Sequence, residues 1–174
     1  YEAIQKGATL TKIFTLMKEV RKEGLTTPVV FMMYYNTVYH YGLEEFVEMC
    51  ADCGVDGLII PDLPYEEQKE INAVLAENEA APILIQLVSP VSKQRIPMIV
   101  NNARGFVYCV SQMGVTGNGA NFHKQIREYL LEVKKNSPLF KMCKISNCCD
   151  YSVKTVLGCL HKVMAEINRI PVMC

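Results

Sequence analysis

Apolar positions along this chain follow two alternating patterns, one recurring at helical spacing and the other a short unbroken run. TLTKIFTLMKEVRKEG, Thr9 to Gly24, places Leu10, Ile13, Leu16, Met17 and Val20 near one helix face, and Gly24 ends it. Pro28 then introduces VVFMMY, residues 29–34, a continuous apolar strand. From Gly42 to Gly54 the helical spacing returns through Leu43, Phe46, Val47 and Cys50. Val55 to Ile60 is the next strand, followed by PDLP. Tyr65 to Asn78 is helical, with Ile71, Val74 and Leu75 facing inward, and Pro82 to Val88 is a third strand. Ser92 to Asn101 predicts a shorter helix and Gly105 to Ser111 a fourth strand. Phe122 to Asn136 is an amphipathic helix, and a further helix is predicted over Val153 to Ile167.

The strands start near 29, 55, 82 and 105, so a βα unit recurs. Continuous apolar strands joined by helices imply a parallel sheet covered on both faces. An open doubly wound sheet and a stretch of an eightfold βα barrel both fit. No GxGxxG follows an early strand and no GxxxxGK[ST] occurs, so the usual nucleotide-binding signatures of the open sheet are missing. A closed barrel needs about 200 residues or more. Four strand-like runs amount to half of one, and the opening YEAIQKG lacks an initiator methionine, so a fragment is expected.

Composition narrows the partners. The 174 residues are 50% hydrophobic and 21% charged, with a formal net charge of zero. There is no basic field for nucleic acid or an anionic membrane. The longest uncharged stretches, such as APILIQLVSPVS, are too short or too polar to cross a bilayer. No basic-then-apolar leader opens the sequence, and secretion has no support. Eight cysteines would suit a disulfide scaffold, but Cys109 lies in an apolar strand and Cys50 and Cys53 one turn apart on a helix. Cys143, Cys148, Cys149, Cys159 and Cys174 crowd the end at irregular spacing. The expectation is a reducing, cytoplasmic compartment with no metal site. His40, His123 and His161 have no ligand spacing either.

In both architectures function sits at the C-terminal ends of the strands. Those ends supply Tyr34-Tyr35-Asn36, Pro61-Asp62-Leu63-Pro64, Gln86 to Pro90, and Ser111 to Asn121. Glu44, Glu45, Glu66, Glu67, Lys134 and Lys135 read as a solvated helix surface. Asp62 is the one carboxylate directly at a strand exit, fit for a general base, a ligand or a turn-fixing acceptor. Tyr34 and Tyr108 suit either a pocket for a flat organic ligand or simple core packing. Asn36 suits an interface or a turn. In GVTGNG, Thr116 offers a hydroxyl and Gly117 lets backbone N–H groups approach an anion. A hinge, a phosphate cradle and a plain surface turn all remain open there.

PVVFMMYYNTVYHYGLEEFVEMCADCGVDGLIIPDLPYEE, then APILIQLVSP, then GFVYCVSQMGVTG, resembles the α subunit of tryptophan synthase. The resemblance runs in register from Tyr1 to about Pro138, and the order YYN, GVDGLIIPDLP, YCVSQMGVTG is far more specific than any single piece. It implies parallel βα repeats forming a partial (β/α)8 barrel, strands three to six. It also implies retro-aldol cleavage of indole-3-glycerol phosphate to indole and glyceraldehyde 3-phosphate, with indole passing to a pyridoxal-phosphate-dependent β subunit in an α2β2 assembly. No cofactor belongs to this chain in that family. By resemblance Tyr34, Pro61, Ile85 and Tyr108 line the indole pocket. Thr116 orients a catalytic aspartate from a mobile loop, and Gly117 approaches the phosphate. Asn36, Tyr39 and Pro64 fall on the β-subunit face. Asp62 takes a structural or communicating role, not a catalytic one. The family's acid-base glutamate and aspartate belong to the first two strands, so no catalytic residue is expected here.

The pattern departs beyond residue 138. Lys141, Lys144 and Asn147 interrupt any seventh strand, Gly158 has no serine beside it, and Gln112 stands where the family often has arginine. Residues 1–138 are therefore expected to form the partial barrel and 139–174 a divergent, cysteine-rich segment, helical in part. The alternatives are a non-catalytic half-barrel serving as an interaction module, and an unrelated α/β enzyme using Asp62.

Overall fold

A computed structural model describes Gln5, residues 7–110 and residues 120–136, with only the backbone described at 120–127. Its residues fall into two units, one ending at Ile83 and the other starting at Leu84.

The first unit opens with helix α1 (Leu10–Lys22). Thr9 caps it, its hydroxyl accepting from the Lys12 N–H at 3.3 Å, and Arg21 and Lys22 sit at the carbonyl-rich end. The buried residues of α1 are Phe14 and Met17, whereas Ile13 and Leu16 are exposed. This corrects the predicted face, which omitted Phe14. Aromatic packing sets the rotation: the Phe14 ring lies 6.0 Å from Phe31, 5.6 Å from Tyr41 and 5.7 Å from Phe46.

Strands β1 (Val30–Met32) and β2 (Gly57–Ile59) pair in parallel, Val30 with Gly57 and Met32 with Ile59. Between them lie α2 (Tyr35–Tyr41) and α3 (Leu43–Asp52). Helix α2 is an addition, because the apolar spacing predicts no element between the strand at 29–34 and the helix from Gly42. Gly42, at φ +98°, divides the two helices with a conformation that other residues rarely adopt. Helix α3 buries Leu43, Phe46, Val47 and Cys50, the face that its spacing predicted. After β2 come a 3₁₀ turn (Tyr65–Glu67) and α4 (Lys69–Ala76), with Ile71 buried and Val74 and Leu75 half-buried. Strand β3 (Ile83–Leu84) completes the sheet order β1-β2-β3, with the Ile83 N–H donating to the Asp56 carbonyl at 3.1 Å.

One side chain fastens the N-terminal ends of β1 and β2. The Arg21 guanidinium donates to the carbonyls of Leu25, Thr27 and Gly54 and to Asp56 Oδ2, at 2.6–2.9 Å. The same Asp56 oxygen accepts from the Val29 N–H at 2.8 Å.

The second unit contains β4 (Gln86–Val88) and β5 (Val107–Cys109), parallel, with Leu87 opposite Tyr108. A 3₁₀ turn (Pro90–Ser92) leads to α5 (Ile96–Asn101), which has Pro97 in its first turn and buries Ile96, Ile99 and Val100. Helix α6 (Ala120–Asn136) buries Tyr129 and Val133, and the Tyr129 hydroxyl donates to the Val88 carbonyl at 2.8 Å.

The single strand predicted over Pro82 to Val88 is instead two segments, β3 and β4, that pair with different neighbours. Ile85, between them, belongs to neither. The other predicted strands are present but shorter, three residues each. The architecture is that of parallel βα repeats in a partial (β/α)8 barrel. The helix predicted over Val153 to Ile167, and the segment 139–174 as a whole, lie outside the described residues.

Candidate functional site

At the C-terminal end of β1, Tyr34 is 67% exposed among the described residues. Its backbone is extended and caps α2 without a side-chain hydrogen bond. The missing cap acceptor comes from the loop after β2. Asp62 Oδ1 accepts the Tyr35 N–H at 2.8 Å, placing a carboxylate at the positive end of α2. Two strand exits, 27 residues apart in sequence, are thereby tied together. This geometry is that of an acceptor fixing a loop, one of the roles that the sequence left open for Asp62.

Around this tie, Pro61 and Pro64 are exposed and Leu63 between them is buried. The Gln68 side chain, itself buried, donates to the Leu63 carbonyl at 3.4 Å, which helps to hold the PDLP turn. Asn36 is exposed in the first turn of α2. Tyr39, one turn further on, is 64% exposed, and its ring lies 6.4 Å from that of Tyr35. The Tyr35 hydroxyl donates to Glu70 Oε2 at 3.3 Å. Partial burial first, and then the Glu70 carboxylate, raise the Tyr35 phenol above its ordinary pKa. Sequence reasoning placed Tyr35 at a strand exit but missed Glu70 and the bond between them, since nothing local in the chain links positions 35 and 70.

In the second unit, Tyr108 is half-buried on β5 opposite Leu87, while Ile85 is buried. Thr116 and Gly117 lie outside the described residues. The first unit thus brings Tyr34, Asn36, Asp62 and the flanking prolines to one pair of strand exits. Tyr108 and Ile85 are placed within the second unit.

Cys50, Cys53 and Cys109 are buried, so the CxxC pair is core. Among the described residues, no group of three or more His, Cys, Asp or Glu side chains is placed to hold a metal ion. No described helix is long and apolar enough to cross a membrane.

A sequence profile described as "Tryptophan synthase alpha chain" matches residues 1–143. A tryptophan synthase alpha chain of Lachnospira eligens is 73% identical over 139 residues, covering 80% of this chain and 53% of that relative. The corresponding protein of Shouchella clausii is 44% identical over 137 residues, covering 79% and 50%. Among solved structures, tryptophan synthase subunit alpha from Campylobacter jejuni superposes with a TM-score of 0.71 at 26% identity, covering 92% of this chain and 62% of that one. The tryptophan synthase complex from Pyrococcus furiosus gives 0.72 at 26% identity, covering 93% and 62%. The chain spans about half the length of the curated relatives it matches. It belongs to the tryptophan synthase alpha chain family.

Proposed function

We propose that the protein carrying this sequence is a lyase that cleaves indole-3-glycerol phosphate to indole and glyceraldehyde 3-phosphate, and that residues 1–138 supply one side of its substrate pocket. The observation that carries this reading is an exposed Tyr34 at a strand exit, with its following helix pinned by Asp62. An aromatic ring on a fixed backbone suits a flat, apolar group such as indole. Pro61 belongs to the same pair of exits, whereas Ile85 and Tyr108 are assigned to indole from the family motif alone. Thr116 and Gly117 are assigned to the phosphate-side loop from the family motif alone.

Proton transfer in this reaction needs a general acid and base. The family's glutamate and aspartate for that step have no counterpart among the residues that match its motifs here. Acid-base groups contribute about 10²–10⁴-fold, so these 174 residues by themselves do not turn over at an enzyme's rate. Asp62, engaged with Tyr35, positions the loops and is not the base. The exposed Asn36, Tyr39 and Pro64 are assigned to the face that meets a β subunit, in an α2β2 assembly. Pyridoxal phosphate belongs to that partner. Residues 139–174 form a divergent segment outside this scheme. The buried, unbridged thiols of Cys50 and Cys53 support a reducing, cytoplasmic location.

Indole release from indole-3-glycerol phosphate tests the reading. The 174-residue chain alone is expected to show none above background. The complete protein carrying this sequence is expected to release indole, and Tyr34→Ala in it to raise KM more than it lowers kcat. Robust turnover by the chain alone, or an unchanged KM in the variant, would contradict the assignment.

A further inference from the structure

The βα unit that follows β1 holds the chain on both sides of Tyr34. Met33, before it, donates its backbone N–H to the Ile59 carbonyl of β2 at 3.1 Å, where the chain leaves the sheet. Tyr35, after it, donates its N–H to Asp62 Oδ1 in the loop beyond β2 at 2.8 Å. The Tyr35 hydroxyl reaches further, to Glu70 Oε2 on α4 at 3.3 Å. Strand, exit loop and helix of one unit each grip a residue adjoining Tyr34.

The hydroxyl bond removes a freedom that the two backbone bonds leave. Those two fix where the chain lies at Tyr34, but α2 can still turn about the line that joins them. Helix α2 resists little by itself, with seven residues and only Val38 buried. An anchor off that line stops the rotation, and the stiff Tyr35 ring carries one to α4. Its acceptor is firmly founded. Glu70 precedes Ile71, which is fully buried, so the carboxylate stands on a helix held by the core. Gln68, two residues earlier and itself buried, holds the loop that carries Asp62 through the Leu63 carbonyl. The start of α4 therefore supports both partners of Tyr35. Burial, and after it the Glu70 carboxylate, raises the Tyr35 pKa, so the phenol stays a donor through the neutral range.

We propose that Glu70 is a positioning residue for substrate: through the Tyr35 hydroxyl it sets the angle at which the Tyr34 ring meets the indole ring. This inference rests on the assignment of Tyr34 to the indole pocket made above. Glu70 touches no substrate, and its effect travels through the start of α2. A ring held in place before the ligand arrives loses less freedom on binding. Loss of Glu70 therefore weakens substrate binding and leaves the chemical step almost untouched. The Tyr35–Glu70 bond is itself exposed, so it contributes little to overall stability.

Indole release from indole-3-glycerol phosphate by the complete protein carrying this sequence tests the proposal. Glu70→Ala and Tyr35→Phe are each expected to raise KM by roughly three- to tenfold, the scale of one hydrogen bond, with kcat nearly unchanged. Glu70→Gln keeps an acceptor oxygen and should restore KM most of the way. Glu70→Ala combined with Tyr35→Phe should be no worse than either alone, because both remove the same bond. Urea midpoints of all these variants should stay close to the parent's. A parental KM in Glu70→Ala, or additive losses in the double variant, would overturn the proposal. So would a raised KM that comes with a lowered midpoint and is not relieved by Glu70→Gln, the mark of a merely structural residue. Each of those results leaves the substrate assignment standing. A parent protein that releases no indole would overturn that assignment and this inference with it.

Discussion

The Asp62 carboxylate accepts a hydrogen bond from the Tyr35 backbone N–H at 2.8 Å, so the loop after β2 caps the helix that follows β1. Helix α2 has only seven residues and buries only Val38, so little else fixes its start. Asp62→Ala removes an acceptor that Tyr34 cannot replace. It is expected to destabilise the chain by about 1 kcal/mol, the usual loss for a helix cap. Asp62→Asn keeps an acceptor oxygen and should cost less. Urea unfolding of the parent and both variants measures this, and an unshifted midpoint for Asp62→Ala would show that the bond carries no stability.

A larger effect is expected at Arg21. Its guanidinium serves three carbonyls and the Asp56 carboxylate, all within 2.9 Å. Arg21→Met keeps much of the apolar stem but leaves those acceptors to water. With the side chain still partly exposed, the cost is set at about 2 kcal/mol. Arg21→Lys should recover only part of it, because one ammonium cannot reproduce the planar fork. Equal stability of the lysine variant and the parent would show that charge matters here and geometry does not.

Where apolar spacing was local and one-faced, the sequence disclosed the structure. The α3 face through Leu43, Phe46, Val47 and Cys50 and the strands around Phe31, Leu58 and Tyr108 are examples. The failures have non-local causes. Helix α2 lacks apolar periodicity, and its cap comes from residue 62. The rotation of α1 depends on three rings, at Phe31, Tyr41 and Phe46, that meet Phe14 only in the folded chain. The break at Ile85 reflects a change of pairing partner, which an unbroken apolar run such as ILIQLV cannot signal. In the candidate site, the chain's motifs located Tyr34 and Asp62 at strand exits, but the bond that relates them appears only in three dimensions.

Tyr129 offers a test within the second unit. Its buried hydroxyl donates to the Val88 carbonyl across 41 residues of chain. Tyr129→Phe keeps the ring packing and leaves that acceptor short of one donor. A loss of about 1 kcal/mol is expected, within the usual range for one buried hydrogen bond. Unfolding that matches the parent within error would mean that water or another donor replaces the hydroxyl.

The most diagnostic pH dependence should come from Cys50. Burial, reinforced by the nearby Cys53, pushes its thiol pKa up to about 12. An unfolded cysteine titrates near pH 8.5. Below that pH both states hold the proton, and this group adds no pH dependence. As pH rises from about 8.5 toward 12, the unfolded chain loses a proton that the folded chain retains, so stability falls. Cys53 shifts in the same direction, through burial first, with Lys18 opposing. Other groups also titrate in this window, so the informative quantity is the stability gap between the parent and Cys50→Ala. That variant loses packing at every pH but also loses the alkaline penalty, so the gap should narrow from pH 7.5 to pH 10.5. Urea titrations at both pH values measure it. A thiol reagent at pH 8 should meanwhile reach Cys50 only as fast as the fold opens. A gap that stays constant with pH would show that the Cys50 thiol ionises as readily in the folded chain as in the unfolded one.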